Sequence, residues 1–256
     1  MARHAEHWAR SYIETASLEH KLAPGVPPAD WSGALASCPE RPGRPPELDV
    51  QERVRAHRGS FRSARARARL LHTFFHHELQ AAELMCWAAL RFADAPLAFR
   101  NGLLRICLDE VRHMTLYRDH IETLGFSIGS FPVRDWFWER IPRCASPLAF
   151  VATMGMGFEG ANLEHSARFA KLFREAGDAR GAEIQTQVGR EEVAHVRFAV
   201  RWFRHWAGAV SFSGWEAHLP PPLSPMLMRG SPIHHEARAK AGLDASFCES
   251  LERWQP

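Results

Sequence analysis

Two short segments of this chain each combine a glutamate and a histidine three residues apart. Glu110 and His113 lie in the sequence DEVRH, and Glu192 and His195 lie in the sequence EEVAH. Residues at this spacing project from the same face of an α-helix. Each segment therefore presents a carboxylate and an imidazole side by side, which is half of a metal site.

Each segment is preceded, at almost the same distance, by a further glutamate inside an apolar helical stripe. Glu78 lies 32 residues before Glu110, and Glu159 lies 33 residues before Glu192. Two antiparallel helices bring such glutamates to the same depth only if the turn lies midway between them. The midpoints fall in 94–96 and beside Gly177, where turn residues occur. The chain is therefore predicted to carry the same two-helix unit twice.

Hydrophobic periodicity predicts four long helices, over about 60–93, 96–125, 146–177 and 178–206. Pro96 suits a first helical turn, Ser146 precedes a first-turn proline, and Asp178 can cap the fourth helix. The 21 residues from Gly125 to Ser146 can carry the chain back along the length of a helix. We therefore predict an all-α fold, a ferritin-like four-helix bundle with one long crossover, over residues 60–207.

The two ends of the chain are predicted to be accessory. Residues 1–59 hold a helix at about 4–21 and a proline-rich N-terminal arm that packs on the bundle. Residues 208–256 form an irregular, proline-rich C-terminal tail with one short helix at about 237–241, to which we assign no function.

Composition narrows the class of protein. A formal charge of +3 on 256 residues is too small to indicate a polyanionic partner. The five cysteines form no CxxC pair, and no apolar run is long enough to span a membrane or to act as a signal core. We expect a protein of the cytoplasm with no membrane partner. A homodimer is compatible with the sequence, which carries no feature that sets the oligomeric state.

Together, the four helices offer four carboxylates and two imidazoles, the ligand set of a dinuclear iron or manganese site. The predicted ligands are Glu78, Glu110, His113, Glu159, Glu192 and His195. Four buried glutamates would be costly without cations, and two divalent ions cancel their charge. Two iron ions are the favoured cofactors, with manganese or a mixed pair as alternatives. Glu83 and Glu164 compete for the ligand roles, and ordinary solvated helix positions are the alternative to any metal site.

Several neighbours could support these ligands. Asp109 is predicted to orient His195, and Glu191 to orient His113, by accepting a hydrogen bond from the ring N–H that does not face the metal. The alternative is that both are surface carboxylates. Tyr117, one turn after His113, is a redox or hydrogen-bonding candidate, although packing is favoured. His72, His76 and His77 are expected to be supporting or solvated groups.

A glycine-rich stretch, Met154–Gly160, contains one of the predicted ligands. Its three glycines cost roughly 3 kcal/mol relative to alanines in a helix. They could leave room for a substrate or dioxygen, permit a π-bulge, or allow close helix packing. The predicted substrate pocket is lined by four apolar side chains, Phe74, Phe75, Met156 and Phe158.

Seven arginines lie in the stretch Arg53–Arg69, with no acidic residue after Glu52. Such a stretch could hold a nucleic-acid backbone. A solvated face, or arginines paired with distant acidic residues, is the favoured interpretation.

The chain resembles the DUF455 family, an uncharacterised branch of the ferritin-like superfamily. The resemblance rests on residues 76–84, 109–113, Glu159 with Leu163, and 191–195 leading to 201–203, and it extends to 18–22. This resemblance implies the ferritin-like fold and the dinuclear metal site, but it does not identify a substrate.

More distant similarity links the chain to multicomponent monooxygenases, ribonucleotide reductase small subunits, rubrerythrins and a tRNA-modifying hydroxylase. In the monooxygenases, a DExRH sequence like that at 109–113 supplies a ligand glutamate and a ligand histidine. Tyr117 stands where the reductases place a radical tyrosine. The second copy departs from the pattern at Glu191 and Ala194. A rubredoxin-like four-cysteine module is not found, which implies a separate electron donor.

These features predict a dinuclear non-haem iron oxidoreductase that activates dioxygen to hydroxylate or otherwise oxidise a small organic substrate. A rubrerythrin- or ferritin-like peroxidase or ferroxidase is one alternative. A tRNA-modifying hydroxylase anchored by Arg62, Arg65 and Arg69 is another, and a helical interaction module without metal is the non-enzymatic one.

Overall fold

The computed structural model describes residues 4–32, 37–54 and 60–256. These residues are predominantly helical, and the β-structure among them is limited to an isolated bridge between Val50 and Val133. The predicted all-α class is confirmed. The chain divides into two compact units, residues 1–140 and 141–256. Each unit contains one of the two helix pairs that the sequence repeat predicted.

The first unit is built around two long helices, α3 (Ala64–Arg91) and α4 (Leu97–Thr123). A short turn joins them into a hairpin. Their antiparallel pairing is seen where Sγ of Cys86 lies 3.5 Å from Sγ of Cys107. The hydroxyl of Ser63 caps α3. Pro96 is the N-cap residue of α4 and not, as predicted, a residue of its first turn.

The N-terminal arm contains two helices, α1 (Ala5–Glu14) and α2 (Leu18–Leu22), where one was predicted. The helix ends after Glu14 because a distant segment takes over its last hydrogen bonds: the amide of Gly43 donates to the carbonyl of Ile13 at 2.8 Å. A side chain at position 43 would overlap the Glu14 carbonyl, so glycine permits this approach. Ser17 then caps α2.

The second unit contains the other long hairpin. A single-turn α5 (Pro147–Phe150) continues into a π-helix (Val151–Phe158), and this continues into α6 (Glu159–Glu175). The partner helix is α7 (Ala179–Ala207). The predicted caps are confirmed, since Ser146 accepts from the amide of Ala149 and Asp178 accepts from the amide of Gly181.

The C-terminal tail is more helical than predicted. The expected helix is present as α9 (His235–Ala241), but α8 (Phe212–Glu216), a 3₁₀ turn (Pro225–Met228) and α10 (Ala245–Arg253) accompany it. Short helices depend on tertiary packing, because few internal hydrogen bonds offset the cost of nucleation. Here the rings of Phe212 and Trp215 pack on Phe247, with centroids 5.8 and 5.5 Å away.

Other parts of the sequence-based organisation stay predictions. The domain boundaries at 59/60 and 207/208 are two of them, and the first adjoins residues 55–59, which lie outside the described part of the chain. The assembly of the two hairpins into one bundle is the third. No helix in the described part of the chain combines the length and apolar character needed to cross a bilayer.

Candidate metal centre

In the first unit, α3 and α4 bring three of the predicted ligands together. Glu78, Glu110 and His113 each offer a ligand atom, and these atoms lie within 4.8 Å of one another. Nδ1 of His113 is 3.0 Å from Oε2 of Glu110. Glu110 and His113 are fully buried, and Glu78 is 5 % exposed. We call these residues the first triad.

The second unit repeats this arrangement on the π-helix–α6 segment and α7. Ligand atoms of Glu159, Glu192 and His195 lie within 4.8 Å of one another. Nδ1 of His195 is 3.1 Å from Oε2 of Glu192, which matches the contact in the first unit. All three side chains are buried. We call these residues the second triad.

The geometry of each triad suits one cation. Two ligand atoms bound at right angles, each about 2.1 Å from an ion, lie about 3 Å apart, which is close to both histidine–glutamate separations. A hydrogen bond between the histidine and the carboxylate has the same length of about 3 Å, and the ring tautomer decides whether the histidine nitrogen can donate. Each triad also brings two carboxylates into a buried environment. One divalent cation cancels two carboxylate charges, and oxygen ligands with one imidazole suit iron(II) or manganese(II).

Glu83, one of the two competing ligand candidates, is engaged elsewhere. Nζ of Lys21 lies 2.7 Å and Nη1 of Arg44 lies 2.6 Å from its Oε1. The indole of Trp138 donates to its Oε2 at 2.8 Å. Burial raises the pKa of this carboxyl, but Arg44 and Lys21 outweigh that effect and hold it below its usual value. Glu83 is therefore an ion-pair residue and is absent from the first triad.

Glu164, the other competing candidate, has an equivalent role in the second unit. The guanidinium of Arg238 forms two hydrogen bonds of 2.8 Å with its carboxylate. The amides of Gly230 and His234 donate to the same carboxylate at 3.2 and 3.0 Å. These bonds fasten the C-terminal tail to α6, a function that the sequence analysis did not assign to the tail.

Another face of α3 contacts the segment that follows α4 in the first unit. Nε2 of His72 accepts from the amide of Gly129 at 2.8 Å, and Nε2 of His76 lies 2.9 Å from Asp135. The amide group of Gln80 bonds to the backbone of the same segment, accepting from Phe137 at 2.9 Å. These histidines were expected to be supporting or solvated groups, and because His72 and His76 are buried, the solvated alternative does not hold for these two.

Burial and charge set the protonation of these groups. Burial, aided by the charges of His76 and Arg69, lowers the pKa of His72 to about 4. Burial raises the pKa of Asp135, but the hydrogen bond from His76 and the charge of Arg44 bring it down to about 2. The segment that follows α4 is thus attached to α3 at two points. At Gly129 the attachment is through the neutral imidazole of His72, and at Asp135 it is through the ionised carboxylate of Asp135 itself.

Tyr117 is buried on α4, and its ring centroid lies 5.8 Å from that of Phe74. Asp109 pairs with Arg112 at 2.6 Å, and Glu191 accepts from Gln187 at 3.1 Å. These contacts lie on single helices. The orienting roles predicted for Asp109 and Glu191, and the redox role of Tyr117, stay predictions.

The glycine-rich stretch adopts the π conformation directly before Glu159. A methyl group at Gly155 would overlap the Cβ of Ala199, and one at Gly157 would overlap the sulfur of Met228. Both the π-helix and the close packing that the sequence suggested are therefore present. Of the predicted pocket residues, Phe75, Met156 and Phe158 are buried and Phe74 is partly buried, and their role in binding a substrate stays a prediction.

Two residues of the arginine stretch have an internal role. The guanidinium groups of Arg65 and Arg69 lie 5.3 and 5.1 Å from the ring centroid of Phe131, which they cover. Arg55 and Arg58 lie outside the described residues. The contacts of Arg65 and Arg69 are with an aromatic ring, so the favoured interpretation, a solvated face or arginines paired with distant acidic residues, stays a prediction.

The sequence matches the family described as "Protein of unknown function (DUF455)" over residues 2–249. This chain belongs to the DUF455 family. A relative described as "Uncharacterized protein", from Haemophilus influenzae, is 27 % identical over 177 residues. The aligned region covers 66 % of this chain and 59 % of the relative, which is less than two thirds of its length. No solved structure matches the chain.

Sequence reasoning missed the cations that hold Glu83 and Glu164. Lys21 is fully buried, and Arg238 is 1 % exposed. Lys21 lies within the segment 18–22 that contributes to the family resemblance, but its partner is 62 residues away. Both residues lie in short helices rich in charged residues, LEHKL and HEARAKA, so the sequence held no signal that either side chain is buried.

Proposed function

We propose that this protein is a dinuclear non-haem iron oxidoreductase that uses dioxygen to hydroxylate or otherwise oxidise a small organic substrate. The observation that carries the proposal is the repetition of one triad. Each unit, taken by itself, has two glutamates and one histidine on a helix hairpin, with the same histidine–glutamate contact of about 3 Å. Coincidence accounts poorly for such a repeat, in which the two glutamates are separated by 32 residues in one unit and 33 in the other.

In this proposal each triad holds one ion, and the two triads form a single centre in a ferritin-like four-helix bundle. Glu110 and His113 on α4, and Glu192 and His195 on α7, supply adjacent ligands from one helical turn. Glu78 and Glu159 supply the facing carboxylates. The donor atoms accept both iron and manganese, so the choice of iron rests on the proposed oxygen chemistry.

The chemistry that bound iron supplies is the reductive activation of dioxygen. The protein's own contribution is to hold the ligands in an apolar environment and to exclude bulk water, which strengthens the electrostatic interactions there. Tyr117, beside Phe74, is proposed to interact with the centre as a hydrogen-bonding or redox group. Phe74, Phe75, Met156 and Phe158 are proposed to contact the apolar substrate.

In this proposal the electrons come from a separate donor. The five cysteines are free thiols in the structure, and the sequence contains no CxxC pair that would hold a redox metal cluster. A separate reductase or ferredoxin-type donor is therefore part of the proposal.

Metal analysis of the purified protein tests the metal site first. We expect about two iron ions per chain after anaerobic loading, and at most about one in Glu78→Gln or Glu159→Gln. Glu122→Gln and Glu183→Gln are matched controls, since both remove an exposed glutamate from the partner helices α4 and α7. Equal metal content in all five proteins would overturn the site.

Oxygen uptake by the reduced, iron-loaded protein tests the reaction. We expect consumption of dioxygen that the Glu78→Gln and Glu159→Gln variants lose and the two controls keep. Iron loading without oxygen uptake would refute the oxygenase. Rapid peroxide turnover with no organic substrate would assign the same centre to a rubrerythrin-like role instead.

A further inference from the structure

The second unit contains a cavity of about 360 Å³ that the proposed metal chemistry does not use. Its walls come from α6, α7 and α9, so it lies entirely within residues 141–256. This volume falls within the range of pockets that bind small molecules.

Small side chains create the space. Leu163, Ala167 and Ala170 lie four and three residues apart, which places them on one face of α6. Gly189 faces them from α7, where its missing side chain lets the helix approach the hydroxyl of Ser166. Ala237 completes the wall on α9. The cavity therefore has an apolar patch of small side chains, next to polar groups from Ser166, Gln185 and Thr186.

The rim of the cavity is cationic. Arg174, Arg190 and Lys240 line it, with Glu236 as the accompanying carboxylate. Glu236 is 2.6 Å from Lys240, so these two charges offset each other. Among the residues that the structure describes, Arg174 and Arg190 form no ion pair with a carboxylate. The rim therefore offers two guanidinium groups whose charge is not neutralised by the protein.

We infer that this cavity binds a small organic anion, with its carboxylate or phosphate head on a guanidinium group of the rim, Arg174 or Arg190, and its apolar body on the alanine patch. Guanidinium groups favour such heads because they donate two parallel hydrogen bonds to them. Leu163, Ala167, Ala170 and Ala237 supply the apolar contact surface for the body, beside the polar lining residues Ser166, Gln185, Thr186 and His234. The combination favours an amphiphilic anion over inorganic phosphate.

This site is separate from the second triad. Val193 lines the cavity and directly follows Glu192, so its side chain points about 100° away around α7. Binding to the cavity therefore does not require a metal ion. The inference and the proposed oxidoreductase can fail independently.

Calorimetric titration of the full-length protein with hexyl phosphate at low ionic strength tests the inference. We expect saturable binding of one molecule per chain, weaker binding of inorganic phosphate, and none of hexanol. The double variant Arg174→Gln/Arg190→Gln should bind hexyl phosphate at least about tenfold more weakly, because the head loses its charged partners.

Two further variants make the result specific. Ala167→Trp should abolish binding, because its ring occupies the cavity from an exposed position where the fold tolerates it. Arg168→Gln removes a neighbouring exposed arginine that does not line the cavity, and it should bind like the original protein. The inference is overturned if the original protein shows no saturable binding. It is equally overturned if Arg168→Gln weakens binding as much as the double variant.

Discussion

Arg238 and Glu164 are joined by two parallel hydrogen bonds of 2.8 Å, and both side chains are 1 % exposed. Glu164 follows Glu159 by five residues. Glu83 follows Glu78 by the same interval, and it is bound by Lys21 and Arg44. In each unit, the segment that flanks the helix hairpin is therefore fastened to it by a buried ion pair one and a half turns from a triad glutamate.

Replacing Arg238 with methionine should lower the free energy of unfolding by about 3–5 kcal/mol. The loss is large because the substitution leaves the buried carboxylate of Glu164 without its countercharge. Urea denaturation measures the change. The double variant Arg238→Met/Glu164→Gln should be less destabilised than Arg238→Met alone, since no buried charge is then left behind. Additive losses in the double variant would contradict this explanation.

In the first unit, Glu83→Gln should destabilise the protein more than Lys21→Met. Glu83→Gln leaves two cations without their common carboxylate, whereas Lys21→Met leaves Glu83 still paired with Arg44 at 2.6 Å. We expect a loss of about 3–5 kcal/mol for the first variant and less for the second. Equilibrium unfolding of both variants under the same conditions gives the comparison, and the reverse order would disprove it.

The stability of the protein should fall as the pH drops from 6.5 towards 4. The pKa of His72 is lowered from 6.5 to about 4 in the folded protein, so the unfolded chain takes up the proton first. The contribution of neutral His72 to the free energy of unfolding is at most roughly 3 kcal/mol. It is fully present above pH 6.5 and is lost as the pH approaches 4. Protonation would also place a cation against the amide of Gly129 that His72 now accepts from.

Urea denaturation at several pH values tests this prediction, with His72→Gln as the comparison. The variant cannot titrate, so its stability should depend less on pH over the same window. Part of the slope should remain, because burial also lowers the pKa of His76. Asp135, with a pKa of about 2 against an ordinary 3.8, contributes below this window. Identical pH profiles for the variant and the original protein would exclude His72.

Two glycines near Glu159 should respond to alanine in opposite directions. Gly155→Ala should cost about 1–3 kcal/mol, because the new methyl group overlaps the Cβ of Ala199 and the helices must separate. Gly160→Ala should be neutral or stabilising by up to about 1 kcal/mol, since the nearest atom, on Arg238, is 3.7 Å from the new Cβ. Thermal and urea unfolding distinguish the two, and a stabilising Gly155→Ala would contradict the packing argument.

The sequence by itself determined the features that depend on neighbours along the chain. The helix caps at Ser146 and Asp178 follow from short side chains that reach an amide three residues ahead. The contacts of His113 with Glu110 and of His195 with Glu192 follow from a spacing of three on a helix. The depth of Glu78 and Glu159 within each hairpin follows from the position of the turn. All of these relations are local or repeat at a fixed period.

Only the tertiary structure decided which carboxylates remain outside the triads. Glu83 and Glu78, like Glu164 and Glu159, are the same residue type on the same helix, so spacing favoured one glutamate of each pair as a ligand but did not exclude the other. Glu83 is paired with Lys21, 62 residues away in the sequence, and Glu164 is paired with Arg238, 74 residues away. These ion pairs keep both glutamates out of the triads. The break between α1 and α2 likewise depends on Gly43, and the helices of the tail depend on aromatic packing. Such partners are chosen by the folded chain, because contacts between distant residues leave no period in the sequence.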